Sequence, residues 1–281
     1  MIIKWKNNKY KIVFWRKFIP ATFTQLIPAF KREKKGIDYR EATTQRLKGT
    51  TALVTGGHQG IGEAITRILL AEGANVVVAA RSEAKLLSFK QACNTDQLEV
   101  VVWDISNLDV LKEKFDEVES KFGKIDVLVN NAAVMSKSGK NVTIDIIDSE
   151  ELNYVHDINV ISTRQLSMEY VSRYDDGTIL NIISNNGLRP CQNVYMLSKW
   201  AINSFTGALE DYCESKGKKI NVCGICPGPT RTKLTVRDTI VWDTCKNRRI
   251  GLPEEIGELA LKLILTKSNC IVSADGGQLL Y

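Results

Sequence analysis

Short apolar runs alternate with longer amphipathic segments along most of the chain. From Thr50 onward, brief stretches rich in Val, Ile and Leu recur, and segments with helical spacing separate them. The clearest stripe follows the first apolar run and places Ile61, Ile65, Ile68 and Leu69 on one helix face. This pattern predicts strands that alternate with helices.

The alternation predicts an α/β protein. We expect a doubly wound, mostly parallel, Rossmann-type sheet of about seven strands with helices on both faces. The predicted strands cover residues 51–55, 75–80, 98–103, 126–130, 178–183, 219–225 and 270–273. The predicted helices cover the stripe after the first strand and residues 110–122, 151–174, 195–216 and 253–266. Ligands of such sheets bind at the carboxyl ends of the strands.

Charge separates an N-terminal arm from the rest. Residues 1–48 hold 13 Lys and Arg against 3 Asp and Glu, whereas residues 49–281 hold 25 against 29. We therefore predict a basic arm over 1–48 and a single Rossmann-type α/β domain over 49–281. Because the body is mildly acidic, the composition argues against a nucleic-acid-binding protein.

The arm itself mixes cations with aromatic residues. Residues 1–32 contain no Asp or Glu, and Lys4, Lys6 and Lys9 alternate with Trp5 and Tyr10. Prolines interrupt the longest uncharged stretch, so none of it predicts a membrane span. Peripheral contact with an anionic membrane surface, an organelle-targeting segment and a tail without a role all remain open.

The cysteines indicate a reducing compartment. Their number, seven, is odd, and their spacing matches no disulfide framework. We expect an intracellular protein, in the cytoplasm first, with a membrane-associated or mitochondrial location as alternatives. Cys223 and Cys226 have redox-motif or half-zinc-site spacing, but they belong to an apolar strand-like run without a second pair. Buried structural thiols are the favoured interpretation, and no metal site is predicted.

A glycine-rich turn follows the first strand. The segment Thr55-Gly-Gly-His-Gln-Gly-Ile-Gly62 joins that strand to the first helix. Glycines at Gly56, Gly60 and Gly62 allow a sharp turn and close approach to a pyrophosphate, and the helix N-terminus presents unpaired N–H groups. Between a strand and a helix this pattern predicts dinucleotide binding. A glycine-rich turn without a ligand is the alternative.

The end of the second strand bears on the choice of cofactor. A carboxylate there favours NAD, whereas an arginine accommodates the 2′-phosphate of NADP. This chain has Ala80 followed by Arg81 and Ser82. We therefore predict NADP(H) over NAD(H), with Arg81 as a plain surface charge the alternative.

Tyr195 and Lys199 are one helical turn apart. On one helix face, the ammonium can lower the pKa of the phenol and allow it to exchange a proton near neutral pH. Alone, this pair is also what an ordinary helix surface shows. The surrounding motifs favour the catalytic interpretation.

Taken together in this order, these motifs resemble the short-chain dehydrogenases/reductases in their single-domain form, over about residues 50–277. The resemblance rests on several matches: Thr55-Gly-x-x-x-Gly-Ile-Gly62, Asp104, Asn130-Asn-Ala132, Asn159, Ser184, Tyr195-x-x-x-Lys199, Pro227-Gly228 with Thr232, and Asp275-Gly-Gly277. The chain departs from the family in the short spacing between Ser184 and Tyr195, in Ala133, and in a shortened segment before Asp275.

The resemblance implies a role for each matching residue. Tyr195 is the general acid/base, Lys199 lowers its pKa and holds the nicotinamide ribose, and Ser184 polarises the carbonyl. Asn159 bends its helix and holds a water that relays protons to Lys199. The implied cofactor contacts are the loop residues Gly56, Gly60, Ile61 and Gly62, then Arg81, Asp104 and Ile105 near the adenosine, Asn130 and Ala132 near its ribose, and Pro227, Gly228 and Thr232 near the nicotinamide.

The implied activity is hydride transfer between NADP(H) and a carbonyl or secondary alcohol. Apolar residues between 233 and 251 hint at an apolar ketone or aldehyde as substrate. Family members often form dimers or tetramers, so a homo-oligomer is expected. A non-catalytic dinucleotide-binding sensor or scaffold, tethered by the basic arm, is the alternative. A sugar-nucleotide epimerase is disfavoured because few residues follow Lys199.

Overall fold

A computed structural model describes residues 12–13, 45–137, 143, 148–232 and 250–274. The predictions for the rest of the basic arm, for residues 233–249 and for Asp275-Gly-Gly277 lie outside the described residues. Among the helices that are described, none combines the length and apolar character needed to cross a bilayer.

A parallel sheet forms the centre of the molecule. Its strands are β1 (Ile12–Val13), β2 (Thr51–Thr55), β3 (Asn75–Ala80), β4 (Leu98–Val102), β5 (Val127–Asn130), β6 (Asp176–Ile182), β7 (Lys219–Pro227) and β8 (Ile271–Ala274). They lie in the order β1-β8-β7-β6-β5-β2-β3-β4, and all neighbours are parallel. The order reverses between β2 and β5, which makes the crevice there the expected ligand site.

The helices are α1 (Gly60–Ala71), α2 (Glu83–Cys93), α3 (Leu111–Phe122), α4 (Ser149–His156), α5 (Ser162–Arg173), α6 (Val194–Ser215) and α7 (Pro253–Thr266). The sequence pattern did not predict α2, because only Leu86 and Phe89 of that helix are buried. The helix predicted over 151–174 is interrupted by a π-turn at Asp157–Ile161, which separates α4 from α5.

Two apolar layers cover the sheet, one on each face. Along β2, Ala52 and Val54 face the layer that packs on α1 and α7, whereas Leu53 faces the layer that packs on α3, α5 and α6. Central strands that are buried on both faces read as continuous apolar runs, as β2 and β3 do. The predicted doubly wound α/β fold is therefore confirmed.

The cysteines in the described part of the chain form no disulfide. Cys213, Cys223 and Cys226 are buried, which agrees with the structural interpretation of the Cys223–Cys226 pair. Burial raises the pKa of Cys213 to about 11 and raises the pKa of Cys223 further. The thiols of Cys213 and Cys223 are therefore protonated at neutral pH.

Candidate active site

A cleft of about 320 Å³ opens along the carboxyl ends of the strands, at the crevice between β2 and β5. It brings together residues that are far apart in the sequence. Of the predicted site residues it is lined by Gly56, Gly60, Ile61, Arg81, Asp104, Ile105, Ala132, Ser184, Tyr195, Lys199, Pro227, Gly228 and Thr232. Gly62, Asn130 and Asn159 do not line the cleft but lie directly behind it, as described below.

The glycine loop forms one wall of the cleft. Gly56 and Gly60 have φ of +66° and +57°, values that favour glycine. A Cβ on Gly56 would lie 3.2 Å from the Ala132 Cα, and one on Gly60 would lie 3.2 Å from the Thr232 Cγ2. The loop thus leaves an open cradle where α1 begins, which fits a dinucleotide pyrophosphate.

Gly62 serves packing inside the loop. A Cβ at Gly62 would lie 2.5 Å from both the Asn131 Nδ2 and the Gly56 carbonyl oxygen. The Asn131 amide in turn donates to the Thr55 carbonyl at 2.9 Å, and the Asn131 backbone N–H donates to the Thr55 Oγ1 at 3.0 Å. Thr55 and Asn131 therefore fix the loop against the end of β5, a role that the sequence analysis did not assign to them.

Two cations and a hydroxyl meet at the end of β3. Arg81, Ser82 and Lys85 all line the cleft there, and both cations are exposed. Ala80, the last residue of β3, lines the same wall without a carboxylate. Lys85 was not predicted, because its position in the first turn of α2 only becomes apparent once that helix is known.

Asp104 and Ile105 follow β4 at the same end of the cleft, beside Trp103. The Asp104 Oδ1 accepts hydrogen bonds from the Ser106 N–H at 3.0 Å and from the Ser106 hydroxyl at 2.7 Å, which hold the turn. Pro227 and Gly228 follow β7 at the other end of the cleft, and the Gly228 N–H donates to the Ala274 carbonyl at 3.1 Å.

Asn130 lies behind the cleft wall, in a buried polar network. Its Nδ2 donates to the Asn181 Oδ1 at 2.9 Å and to the Ser167 Oγ at 3.0 Å. Asn181 continues the network to the Thr206 Oγ1 on α6 at 3.0 Å. The side chain thus links β5, β6, α5 and α6, whereas the residues that follow it, from Asn131 to Val134, line the cleft.

Ser184 follows β6 and is buried. The Asn186 N–H donates to the Ser184 Oγ at 3.1 Å, which begins the 3-10 turn Asn185–Leu188. Since this bond uses the hydroxyl as an acceptor, the Ser184 O–H is left to donate. It interacts with the Tyr195 hydroxyl, and that interaction lowers the pKa of Tyr195.

Tyr195 lies in the first turn of α6, where the Asn193 side chain caps the helix. Burial raises the pKa of Tyr195 to about 12, and this outweighs the lowering by Ser184. The phenol therefore keeps its proton at neutral pH.

Lys199 is buried, and its Nζ donates to the Ile182 carbonyl at 2.9 Å. The Nζ is 5.6 Å from the centre of the Tyr195 ring. Burial lowers the pKa of Lys199 to about 8. The lowering of the Tyr195 pKa by this ammonium stays a prediction, since the Lys199 Nζ is hydrogen-bonded to a backbone carbonyl in this structure.

Asn159 lies in the π-turn, as its predicted role in bending the helix requires. Its Oδ1 accepts from the Val134 N–H at 2.8 Å, and its Nδ2 donates to the Val134 carbonyl at 2.8 Å and the Ser198 Oγ at 2.9 Å. The Thr163 hydroxyl donates to the Asn159 carbonyl at 2.9 Å. Asn159 therefore joins the loop after β5 to the helix of Tyr195 and Lys199. Its predicted water relay stays a prediction.

Comparison with known proteins identifies the family of the chain. The family model for short chain dehydrogenases matches residues 50–239. A 3-oxoacyl-[acyl-carrier-protein] reductase of Thermotoga maritima is 29% identical over 248 residues, which are 83% of this chain and 98% of that protein. A 3beta-hydroxysteroid dehydrogenase of Eggerthella lenta is 32% identical over 253 residues, which are 84% and 96% of the two chains.

A solved structure is similar as well. The 3-ketoacyl-(acyl-carrier-protein) reductase from Brucella melitensis, complexed with NADH, superposes with a TM-score of 0.75 at 26% identity and covers 83% of this chain and 99% of that one. The family model, the relatives and the fold thus agree, and the chain belongs to the short-chain dehydrogenase family of oxidoreductases.

Proposed function

We propose that the protein is an NADP(H)-dependent oxidoreductase that reduces a ketone or aldehyde on an apolar substrate. One observation supports this most strongly. The side chains of Ser184, Tyr195 and Lys199 line the same cleft as the glycine loop. A phenol and a hydroxyl in one cleft support this proposal, because both could stabilise the negative charge that develops on a carbonyl oxygen during hydride transfer.

The cleft fits a nicotinamide dinucleotide. The open cradle at Gly56 and Gly60 suits the pyrophosphate, and Lys199 is near enough to the cleft to contact a ribose. Such a cofactor supplies the hydride. Asp104 and Ile105 would border the adenine, and Thr232 would border the nicotinamide end.

The chain's own residues handle the proton. Tyr195 holds it at neutral pH, because the pKa of that phenol is about 12. Donation to the substrate oxygen requires the product phenolate to be stabilised, and Ser184 contributes to this through its interaction with the phenol. Lys199 adds positive charge beside the same ring when it is protonated.

The preference for NADP(H) rests on Arg81, Ser82 and Lys85. Two cations and a hydroxyl at the end of β3 suit a 2′-phosphate, and Ala80 offers no carboxylate for a free 2′-hydroxyl. The similar structure from Brucella melitensis was solved with NADH, so the cofactor has to be decided by measurement.

The substrate class is argued from the relatives and the cleft. The names of two relatives specify a 3-oxoacyl group and a 3-hydroxysteroid, which both carry the reacting carbon on an apolar body. Val134, Ile158 and Ile183 contribute apolar side chains to the same cleft. We propose a substrate of this kind, handled by a homo-oligomer.

The test is a fluorescence titration with NADPH and NADH, followed by turnover assays on a 3-oxoacyl thioester and a 3-oxosteroid. We expect tighter NADPH binding, weakened about tenfold by Arg81→Ala and by Lys85→Ala, with NADH binding unchanged. Lys90→Ala, which removes a cation paired with Glu99 outside the cleft, is the matched control. Equal binding of both cofactors would contradict the NADP(H) preference.

Tyr195→Phe separates an enzyme from a non-catalytic sensor. We expect turnover to fall at least about a thousandfold while NADPH binding changes less than about threefold. If the cellular role of the protein survives this substitution, the sensor or scaffold alternative is correct.

Contact of the basic arm with an anionic membrane surface is a separate proposal. It is tested by flotation with phosphatidylserine vesicles of the full chain and of a variant in which Lys4, Lys6, Lys9 and Lys11 are changed to Gln. Equal recovery of both in the soluble fraction would contradict it.

A further inference from the structure

We propose that Asn203 is a positioning residue that acts on catalysis through Ser184. Its amide fastens the turn after Ser184 to the helix of Tyr195 and Lys199. The inference rests on the proposed carbonyl chemistry, since it assigns a role to the hydroxyl that would polarise the carbonyl.

The orientation of Ser184 is set by the turn that follows it. The Asn186 N–H donates to the Ser184 Oγ at 3.1 Å, and the Gly187 N–H donates to the Ser184 carbonyl at 2.9 Å. A displacement of this turn therefore rotates or shifts the Ser184 hydroxyl. The turn itself needs a fixed support.

Helix α6 provides that support. The Asn203 Nδ2 donates to the Gly187 carbonyl at 3.2 Å. Gly187 also packs so closely on the helix that a Cβ there would lie 2.6 Å from the Lys199 carbonyl oxygen. The Trp200 Nε1 donates to the Arg189 carbonyl just beyond the turn. The turn is thus held on the helix face that carries the catalytic pair.

The spacing along α6 explains why this contact matters. Asn203 follows Lys199 by four residues and Tyr195 by eight, so the three side chains lie on one face of the helix. Asn203 is not among the residues that line the cleft. It connects Ser184 to α6 across space, in addition to the short loop that joins them along the chain.

We expect loss of the Asn203 donor to loosen Ser184 relative to Tyr195. A small misplacement of a catalytic group lowers kcat more than it changes ground-state binding. Asn203→Asp replaces the donor with an acceptor that repels the Gly187 carbonyl. Its kcat should fall about tenfold or more, while KM and the NADPH dissociation constant change less than about twofold. Asn203→Ala should give a smaller loss in the same direction.

The decisive experiment repeats both substitutions in a Ser184→Ala background. If Asn203 acts through Ser184, then Asn203→Asp causes no further loss there, because the group it positions is already missing. The matched control is Ser204→Asp, which places the same charge on the exposed neighbouring position of α6. A loss of the same size in both backgrounds would overturn the inference.

A second measurement does not depend on turnover. Amide hydrogen exchange of a peptide spanning 184–192 should become at least about fivefold faster in Asn203→Asp and stay unchanged in Ser204→Asp. Unchanged exchange in Asn203→Asp would overturn the inference, even if no carbonyl substrate is ever found. Failure of the proposed function would instead appear as full turnover in Tyr195→Phe.

Discussion

The Asn159 Nδ2 donates to the Ser198 Oγ at 2.9 Å, and this bond joins the π-turn before α5 to α6 directly beside Lys199. Ser198 passes the contact on, since its hydroxyl donates to the Tyr195 carbonyl at 2.7 Å. The side chains of Asn159 and Ser198 are buried. Asn159 thus belongs to the π-turn between α4 and α5 and also holds α6, the proposed catalytic helix, in place.

Asn159→Leu should destabilise the fold strongly. The substitution removes the partner of the half-buried Val134 N–H and carbonyl and one of the two partners of the buried Ser198 hydroxyl. We expect a loss of about 3–5 kcal/mol in the free energy of unfolding, measured by urea denaturation. Asn153→Leu, on the exposed face of α4, is the control and should cost less than about 0.5 kcal/mol. Equal effects of the two would refute this role.

Lys199→Met should stabilise the protein at pH 7 while turnover is lost. Burial lowers the pKa of Lys199 from 10.5 to about 8, which corresponds to about 3 kcal/mol of unfavourable burial when the ammonium is charged. Loss of the hydrogen bond to the Ile182 carbonyl removes about 1 kcal/mol of this gain. We therefore expect a net gain of about 1–2 kcal/mol.

The stability difference between the wild type and Lys199→Met should depend on pH, and this dependence is the control for the prediction. The folded protein releases the Lys199 proton near pH 8, whereas the unfolded chain keeps it to about 10.5. The wild type therefore gains stability as pH rises through this window, and the advantage of the variant shrinks. Urea denaturation at pH 7 and pH 9.5 measures both. An advantage that stays constant with pH would show that Lys199 is not the group responsible.

Gly62→Ala should damage the glycine loop rather than only the cofactor contact. The new Cβ would lie 2.5 Å from the Gly56 carbonyl oxygen, which is backbone and cannot rotate away. We expect a loss of about 2–4 kcal/mol in the free energy of unfolding, together with weaker NADPH binding. Gly251→Ala is a suitable control, because its nearest neighbours would be 3.6 Å away. A variant that loses cofactor binding at full stability would contradict the packing role.

Ala80→Asp should change the cofactor preference. A carboxylate at the end of β3 would repel a 2′-phosphate and accept hydrogen bonds from a free 2′-hydroxyl. We expect NADPH binding to weaken at least about tenfold and NADH binding to hold or improve. The titration is compared with Ser88→Asp, which adds the same charge on the exposed face of α2. Parallel weakening of both cofactors would mean that the 2′-position lies elsewhere.

The main elements were predictable because local periodicity determines them. Buried strands such as β2 and β3 are continuous apolar runs, and the glycines at Gly56 and Gly60 mark a turn with positive φ whatever the tertiary context. The family motifs then identified the side chains that meet in the cleft.

What escaped prediction depends on contacts between distant parts of the chain. The amide pair of Asn130 and Asn181 joins residues 51 positions apart, and the sequence does not reveal that Asn130 is directed inward. Whether the pKa of Tyr195 is raised or lowered also depends on how deeply the phenol is buried, and the spacing between Tyr195 and Lys199 does not reveal that burial. Lys85 was missed for the related reason that its helix has little apolar periodicity.

The buried thiols of Cys213, Cys223 and Cys226 allow local opening of the protein to be measured by cysteine labelling. Since an alkylating reagent needs an exposed thiolate, each of these cysteines reacts only when its surroundings open. Cys226 directly precedes Pro227 at the cleft, so its labelling rate would register opening at the site, while Cys213 on α6 would register opening of that helix. Ligands could thus be ranked by how much they slow the labelling of Cys226, before any substrate has been identified.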